Sequence, residues 1–285
     1  MKLVTQDYGC GTSSSILDYG IKDAVVVSES NYDHVFDVED DLLFIGHDFL
    51  FFLWDNEEKA KKWQARKDKW EHWVWCFERI DAIVPAWQLK SHHSLRIAST
   101  FCKRLLACDE DDCDKYGIDW LPQWASCNFY ERRFEQPSSE KILFSGQAGK
   151  PEYFARNVLL NSIYEDEILR ERTSFTNFDR NLTWDSYVEN LLKHHTVLNP
   201  VGVLKALNTR AFETVYSGRL LLQHTVGQYR RHENLLKDTE NVFFFQDFSQ
   251  LKEKVLSLEK VSLTSGNFSS HSLQARMKSI GVEIK

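Results

Sequence analysis

Residues 198–223, LNPVGVLKALNTRAFETVYSGRLLLQ, place a glycine, two cations and a carboxylate in an order that suits a phosphorylated ligand. Apolar residues at both ends give the order strand, loop, helix, strand. Gly202 lets the loop come close to a ligand. Lys205 and Arg210 add positive charge near the helix start, where unpaired backbone N–H groups already favour an anion. Glu213 stands about one turn further in and could accept hydrogen bonds from ribose hydroxyls. Gly218 suits the position just past a helix C-terminus. Cation, amide dipole and carboxylate in this order fit a nucleoside diphosphate. On chemistry alone, an ordinary strand–helix unit with a surface lysine and arginine fits equally well.

Other residue groups carry weaker chemistry. His47 and Asp48 follow the apolar run Leu42-Ile45, so they fall at the carboxyl end of a strand. Either could act as a general base towards an acceptor hydroxyl, although a structural histidine is the commoner use. Glu78-Arg-Ile-Asp81 after Val74-Phe77 is a second such position, with an internal ion pair as its plainer reading. Asp7-Ser15 is Gly/Ser-rich but lacks the Gly-Lys-Ser/Thr end of a P-loop. Cys108-Asp114 holds a C-x4-C spacing with no nearby histidine, a poor zinc pattern. Carboxylates so crowded are expected in a solvated loop, and no metal site is expected. Lys59-Trp70 is the one strongly basic stretch, with Trp63, Trp70 and Trp73 seven and then three residues apart. Cations with stacking aromatics can bind a nucleic acid. A helix with a tryptophan stripe in the core and lysines on the wet face is the favoured alternative.

The elements that must position these groups alternate along the chain. Apolar runs of about four residues recur at Ala24-Val27, Leu42-Ile45, Val74-Phe77, Ala82-Pro85, Leu105-Cys108 and Ile118-Leu121. They resume at Ile142-Ser145, Thr196-Leu198, Leu220-Gln223 and Val242-Phe245. Continuous runs without alternation are the pattern of parallel strands buried on both faces. Amphipathic stretches such as Glu152-Leu169, Trp184-His194 and Leu251-Leu258 lie between some of them. The expected class is α/β and doubly wound. The polar segment 131–141, ERRFEQPSSEK, divides the chain. It predicts an N-terminal domain at 1–135 and a C-terminal domain at 136–285, two Rossmann-like halves with a ligand cleft between them.

The block 198–225 resembles the N-x-R-x-F-E-x-x-x-x-G segment of spore-maturation-like (CgeB-like) glycosyltransferases. The following 240–248, ENVFFFQDF, with LKEK at 251–254, is similar to that family's strand, Asp and helix ending. Upstream, KILFSG at 141–146 with Arg156, and WLPQW at 120–124, resemble its other strands. The resemblance covers roughly residues 105–258. It implies a GT-B fold, two Rossmann-like domains facing a central cleft, and transfer of a hexose from a nucleotide sugar to an acceptor hydroxyl. It implies that Glu213 meets the donor ribose. Arg210 and Lys205 would lie near the diphosphate, and Asn208 would serve structure or the donor sugar. Gly146, with Gln147 beside it, would form the first loop of the donor domain. Many retaining GT-B enzymes carry a Glu-x7-Glu pair, and Lys205 stands where its first Glu would be, so retention and inversion stay open. Such enzymes generally work without a metal, since cations and helix dipoles stabilise the leaving diphosphate.

Composition sets outer limits. The 285 residues carry 35 Lys+Arg against 42 Asp+Glu, a net charge of −7. That argues mildly against an all-over basic nucleic-acid sleeve. Six cysteines without a CxxC are expected to be reduced thiols in a cytoplasm. No secretory leader and no apolar run of spanning length is read in the sequence. UDP-glucose is the default donor because it is the commonest. The acceptor stays open among a small molecule, a glycan, a protein and a modified DNA base. A non-catalytic nucleotide-sugar-binding protein is the rival outside the enzymes.

Overall fold

Runs such as LLFI at 42–45 and LLLQ at 220–223 have no polar face, so each must sit in a sheet covered on both sides. The computed structural model describes the chain apart from residues 7–11, 20, 22–23, 29–30, 47–49, 51–55, 78, 82–84, 177–181, 203–206, 226–229, 238, 259–267 and 285. Two compact units result, residues 1–123 with 273–285, and residues 124–272.

The first unit is built on β1 (Lys2–Gln6), β2 (Val25–Val27), β3 (Leu42–Ile45), β4 (His72–Cys76), β5 (Arg104–Ala107) and β6 (Asp119–Trp120). All pair in parallel, in the order β2-β1-β3-β4-β5-β6. The helices are α1 (Thr12–Asp18), α2 (Glu57–Lys67), α3 (Pro85–Phe101) and α4 (Glu110–Tyr116). Val4, Leu42, Phe44, Trp63, Val74 and Phe101 belong to its apolar core. In α2, Trp63 is fully buried and stacks on Phe101 at 4.5 Å, while Lys61 and Lys62 pair with Glu57 and Glu58 one turn back. The basic stretch is thus a helix with its tryptophan in the core. The acidic run is no solvated loop. Asp109 caps α4 by accepting from the amides of Asp111 and Asp112, at 3.0 and 3.3 Å. Carboxylates fit there because the first turn of a helix carries positive potential. The strand expected at Ala82-Pro85 also fails at its end: Pro85 begins α3, where a missing N–H costs nothing. Residues 82–84 lie outside the described residues.

The second unit opens with α5 (Cys127–Glu131). It then carries β7 (Ser139–Ser145), α6 (Phe154–Glu165), α7 (Glu167–Arg172), β8 (Thr173–Thr176), α8 (Trp184–Lys193) and β9 (His194–Asn199). It ends with α9 (Thr209–Tyr216), β10 (Leu220–His224), α10 (Arg230–Leu236), β11 (Val242–Phe245) and α11 (Phe248–Ser257). Its sheet is parallel, in the order β11-β10-β9-β7-β8. One face packs Leu143, Val197 and Leu221 against helices α8 and α9. The other packs Phe144, Leu198 and Leu222 against α6 and α11. The chain then returns to the first unit as α12 (Leu273–Ser279), where Arg276 donates to the Gln123 carbonyl at 3.1 Å.

The polar segment 131–141 is strapped onto the second unit, so the dividing line expected at 135/136 falls inside that unit. Phe129 packs edge-on to Trp184 and Tyr187, each at 6.1 Å. Arg132 pairs with Glu189 at 2.6 Å. Arg219, fully buried, donates to the carbonyls of Arg133, Glu135, Leu192 and Ser217. Burial pulls its pKa down to about 10.

Candidate functional site

The second sheet changes direction between β7 and β9, since β8 lies to one side of β7 while β10 and β11 lie beyond β9. In open parallel sheets, ligands bind outside the carboxyl ends of the strands at such a switch point. Gly146 follows β7, and Asn199 closes β9. Five of the residues singled out in the sequence, Gly146, Gln147, Asn208, Arg210 and Glu213, stand on or next to the elements around that point.

Asn208 caps α9, its side chain accepting from the Ala211 amide at 3.3 Å. Its amide group donates to Asn199 Oδ1 at 3.2 Å, and Arg210 Nη1 donates to the same oxygen at 3.0 Å. The Arg210 guanidinium lies over Gly146. A Cβ placed on that glycine would stand 2.5 Å from Arg210 Nη2, and its φ of +155° is itself costly for other residues. The guanidinium also stands 6.0 Å from the Phe144 ring. Among the described residues, its Nε is buried without a hydrogen-bond partner and Arg210 makes no ion pair.

Glu213 lies one turn along α9 and is 1% exposed. Its Oε2 accepts a 2.6 Å hydrogen bond from the Tyr187 hydroxyl, donated from α8. Burial, reinforced by the charge of Glu213, pushes the Tyr187 phenol well above its ordinary pKa against the opposing pull of Arg210. Gln147 is held at both ends. Tyr153 Oη donates to its side chain at 2.7 Å, and Arg156 Nη1 donates to its carbonyl at 2.5 Å. Lys205 lies outside the described residues, as do His47 and Asp48.

Three residues that shape this arrangement escape the sequence reading. Asn199 and Gln223 are polar residues closing or nearly closing apolar strands, and that interruption is the only local sign of them. Tyr187 sits within an amphipathic helix and gives none. The arrangement presents a guanidinium and the start of α9 beside a backbone with no Cβ, which is what binding an anionic group requires.

No family model matches the chain, and no curated protein does. Solved structures do. An α-glucosyltransferase in complex with UDP and a 13-mer DNA matches with a TM-score of 0.58 at 10% identity, over 97% of this chain and 93% of that one. A UDP-forming α,α-trehalose-phosphate synthase from Burkholderia xenovorans matches with 0.51 at 8% identity, over 98% and 97%. Anabaena Alr3699/HepE in complex with UDP matches with 0.51 at 9% identity, over 98% and 98%. The fold is GT-B. The expected α/β class and its two Rossmann-like domains are therefore present. In GT-B terms, the residues just described belong to the second of those domains. Among the described residues, no helix is long and apolar enough to cross a membrane.

Proposed function

We propose that this GT-B chain transfers a hexose from a nucleoside-diphosphate sugar, with UDP-glucose as the default, to an acceptor hydroxyl. The observation that carries the reading is Arg210, a cation at the start of α9, held over Gly146 by an amide oxygen and without an ion pair among the described residues. The shared fold of two UDP-bound structures supports it. In this reading Arg210, Lys205 and the α9 N-terminus meet the diphosphate. Glu213 takes the ribose, and Gly146, Gln147 and Asn208 shape the loop around the donor. The bond from the anomeric carbon to the diphosphate oxygen breaks, and a bond to the acceptor oxygen forms. The acceptor proton passes to a base, for which His47 and Asp48 are the candidates. UDP leaves with its charge met by these groups, so the reaction needs no metal. CgeB-like kinship and a cytoplasmic location complete the reading.

A DNA acceptor is the second reading, favoured by the DNA-bound neighbour. A gel shift with hydroxymethylated duplex tests it, repeated with Lys61, Lys62 and Lys67 changed to Glu. Binding that is absent, or unchanged by the substitutions, removes that reading in its basic-helix form.

A thermal-shift screen of nucleotide sugars tests the main proposal. A ligand at 100 times its Kd should stabilise the protein by about 2.7 kcal/mol. Release of UDP from a UDP-sugar then separates an enzyme from a binding protein. UDP that binds but is never released, across a broad acceptor panel, would leave only the binding protein.

A further inference from the structure

Arg210 is held by a neutral group, although a carboxylate is the usual partner for a partly buried guanidinium. Asn199 is 1% exposed, and among the described residues all its side-chain bonds lie within this network. Its Nδ2 donates to Gln223 Oε1 at 2.7 Å. Gln223 Nε2 in turn donates to the carbonyls of Asn199 and His224, at 3.2 and 2.8 Å. These bonds leave Gln223 one acceptor to offer, which fixes the orientation of the Asn199 amide. Asn199 Oδ1 must then face Asn208 and Arg210.

We infer that Asn199, oriented by Gln223, is a positioning residue that aims Arg210 while leaving its charge available to a diphosphate. An aspartate would hold the guanidinium at least as firmly. It would also neutralise it, and a bound anion would then lie close to a like charge. The amide thus trades a stronger internal bond for a site that attracts anions. The inference rests on the proposed donor reading for the identity of the anion.

The test is Asn199→Asp, which is isosteric, with UDP and uridine binding measured by calorimetry on the full chain. The expected result is a loss of UDP affinity of roughly tenfold or more, with a much smaller loss for uridine and a lower thermal stability, because the carboxylate has no N–H to give Gln223 Oε1. Equal losses for UDP and uridine mean that Asn199 only supports the fold, and overturn the inference. UDP affinity equal to wild type overturns it as well. If Asn199→Asp does not fold, Gln223→Leu serves, because it removes the groups that orient the Asn199 amide. It should lower UDP affinity more than uridine affinity, and an equal effect on both again overturns the inference. Wild-type protein that binds no nucleoside diphosphate refutes the donor reading itself, which is a separate result.

Discussion

The two units use the same parallel-sheet plan but bury polar groups in opposite ways. In the first, His72 opens β4 at 1% exposure inside a box of Trp63, Phe44 and Phe101, at 5.4, 6.4 and 6.0 Å. Among the described residues, neither of its ring nitrogens has a side-chain hydrogen-bond partner. In the second, Asn199 closes β9 and joins Gln223 of β10 in a chain of bonds that ends on Arg210. A lone polar group at the start of a strand is a feature of packing. A linked set at the carboxyl ends, beside a switch point, is placed where ligands bind. The contrast can be broken by removing packing from the first unit and asking whether the second notices.

The largest effect is expected from Trp63→Ala. Removing a buried indole costs about 3–5 kcal/mol. Amide exchange should therefore rise throughout the first core, at Leu43, Phe44 and Val74, while Val197 and Leu221 stay protected. UDP affinity should remain within about twofold, since the proposed donor residues all belong to the second unit. A large affinity loss would show that the units are energetically one body and would end the comparison.

Next is a pair of opposed titrations in the first unit. Burial pulls the His72 pKa down from its ordinary value to about 4. The unfolded chain takes up that proton at higher pH than the folded one, so stability present above about pH 6.5 is lost as pH falls towards 4. Burial raises Asp112 to about 6, although its carboxylate accepts from the Ile80 amide at 2.7 Å. Here the folded state takes the proton first, so stability rises as pH falls from 6 towards 3.8. Each contribution is worth about 3 kcal/mol, with opposite sign. The two nearly cancel in the wild type. Removing one should expose the other: relative to wild type, His72→Leu should gain stability on acidification, and Asp112→Asn should lose it. Denaturant unfolding at pH 7 and pH 4.5 measures both differences. Parallel pH profiles for the three proteins would contradict the assignment.

A smaller effect is expected from Gly146→Ala in the second unit. The new Cβ would displace the end of the Arg210 side chain, 2.5 Å away. Losing one charge-assisted contact should cost about 1.5–3 kcal/mol of UDP affinity. Uridine binding by the variant should be much less affected, and wild-type affinity for UDP would remove Arg210 from the diphosphate.

The sequence made some of this legible and hid the rest for definable reasons. Continuous apolar runs revealed β3, β10 and β11, because strands buried on both faces have no polar side. The strand β8 has threonine and serine around a single phenylalanine, and its burial comes from neighbours in space. Asn208, Arg210 and Glu213 could be read together because one helix start holds all three. Arg219 could not, since a guanidinium after Gly218 looks like a surface turn until residues 133 and 135 fold over it. Asn199–Gln223 and Tyr187–Glu213 join residues 24 and 26 apart in the chain. Such pairs exist only once the strands and helices are in place.

The smallest effect is also the most specific. Tyr187→Phe keeps the ring that packs on Phe129 and deletes only the hydroxyl that Glu213 holds at 2.6 Å. A hydrogen bond to a charged partner is worth about 1.5–3 kcal/mol, yet little of that should reach a ligand, because Glu213 stays in place on α9. UDP affinity should fall about threefold, and affinity for 2′-deoxy-UDP should hardly change. That difference would arise because the deoxynucleotide lacks a hydroxyl that the proposed ribose contact can use. If both nucleotides weaken equally, the Tyr187 hydroxyl matters for packing in the second unit just as the indole of Trp63 does in the first. The linked polar set would then stop at Arg210.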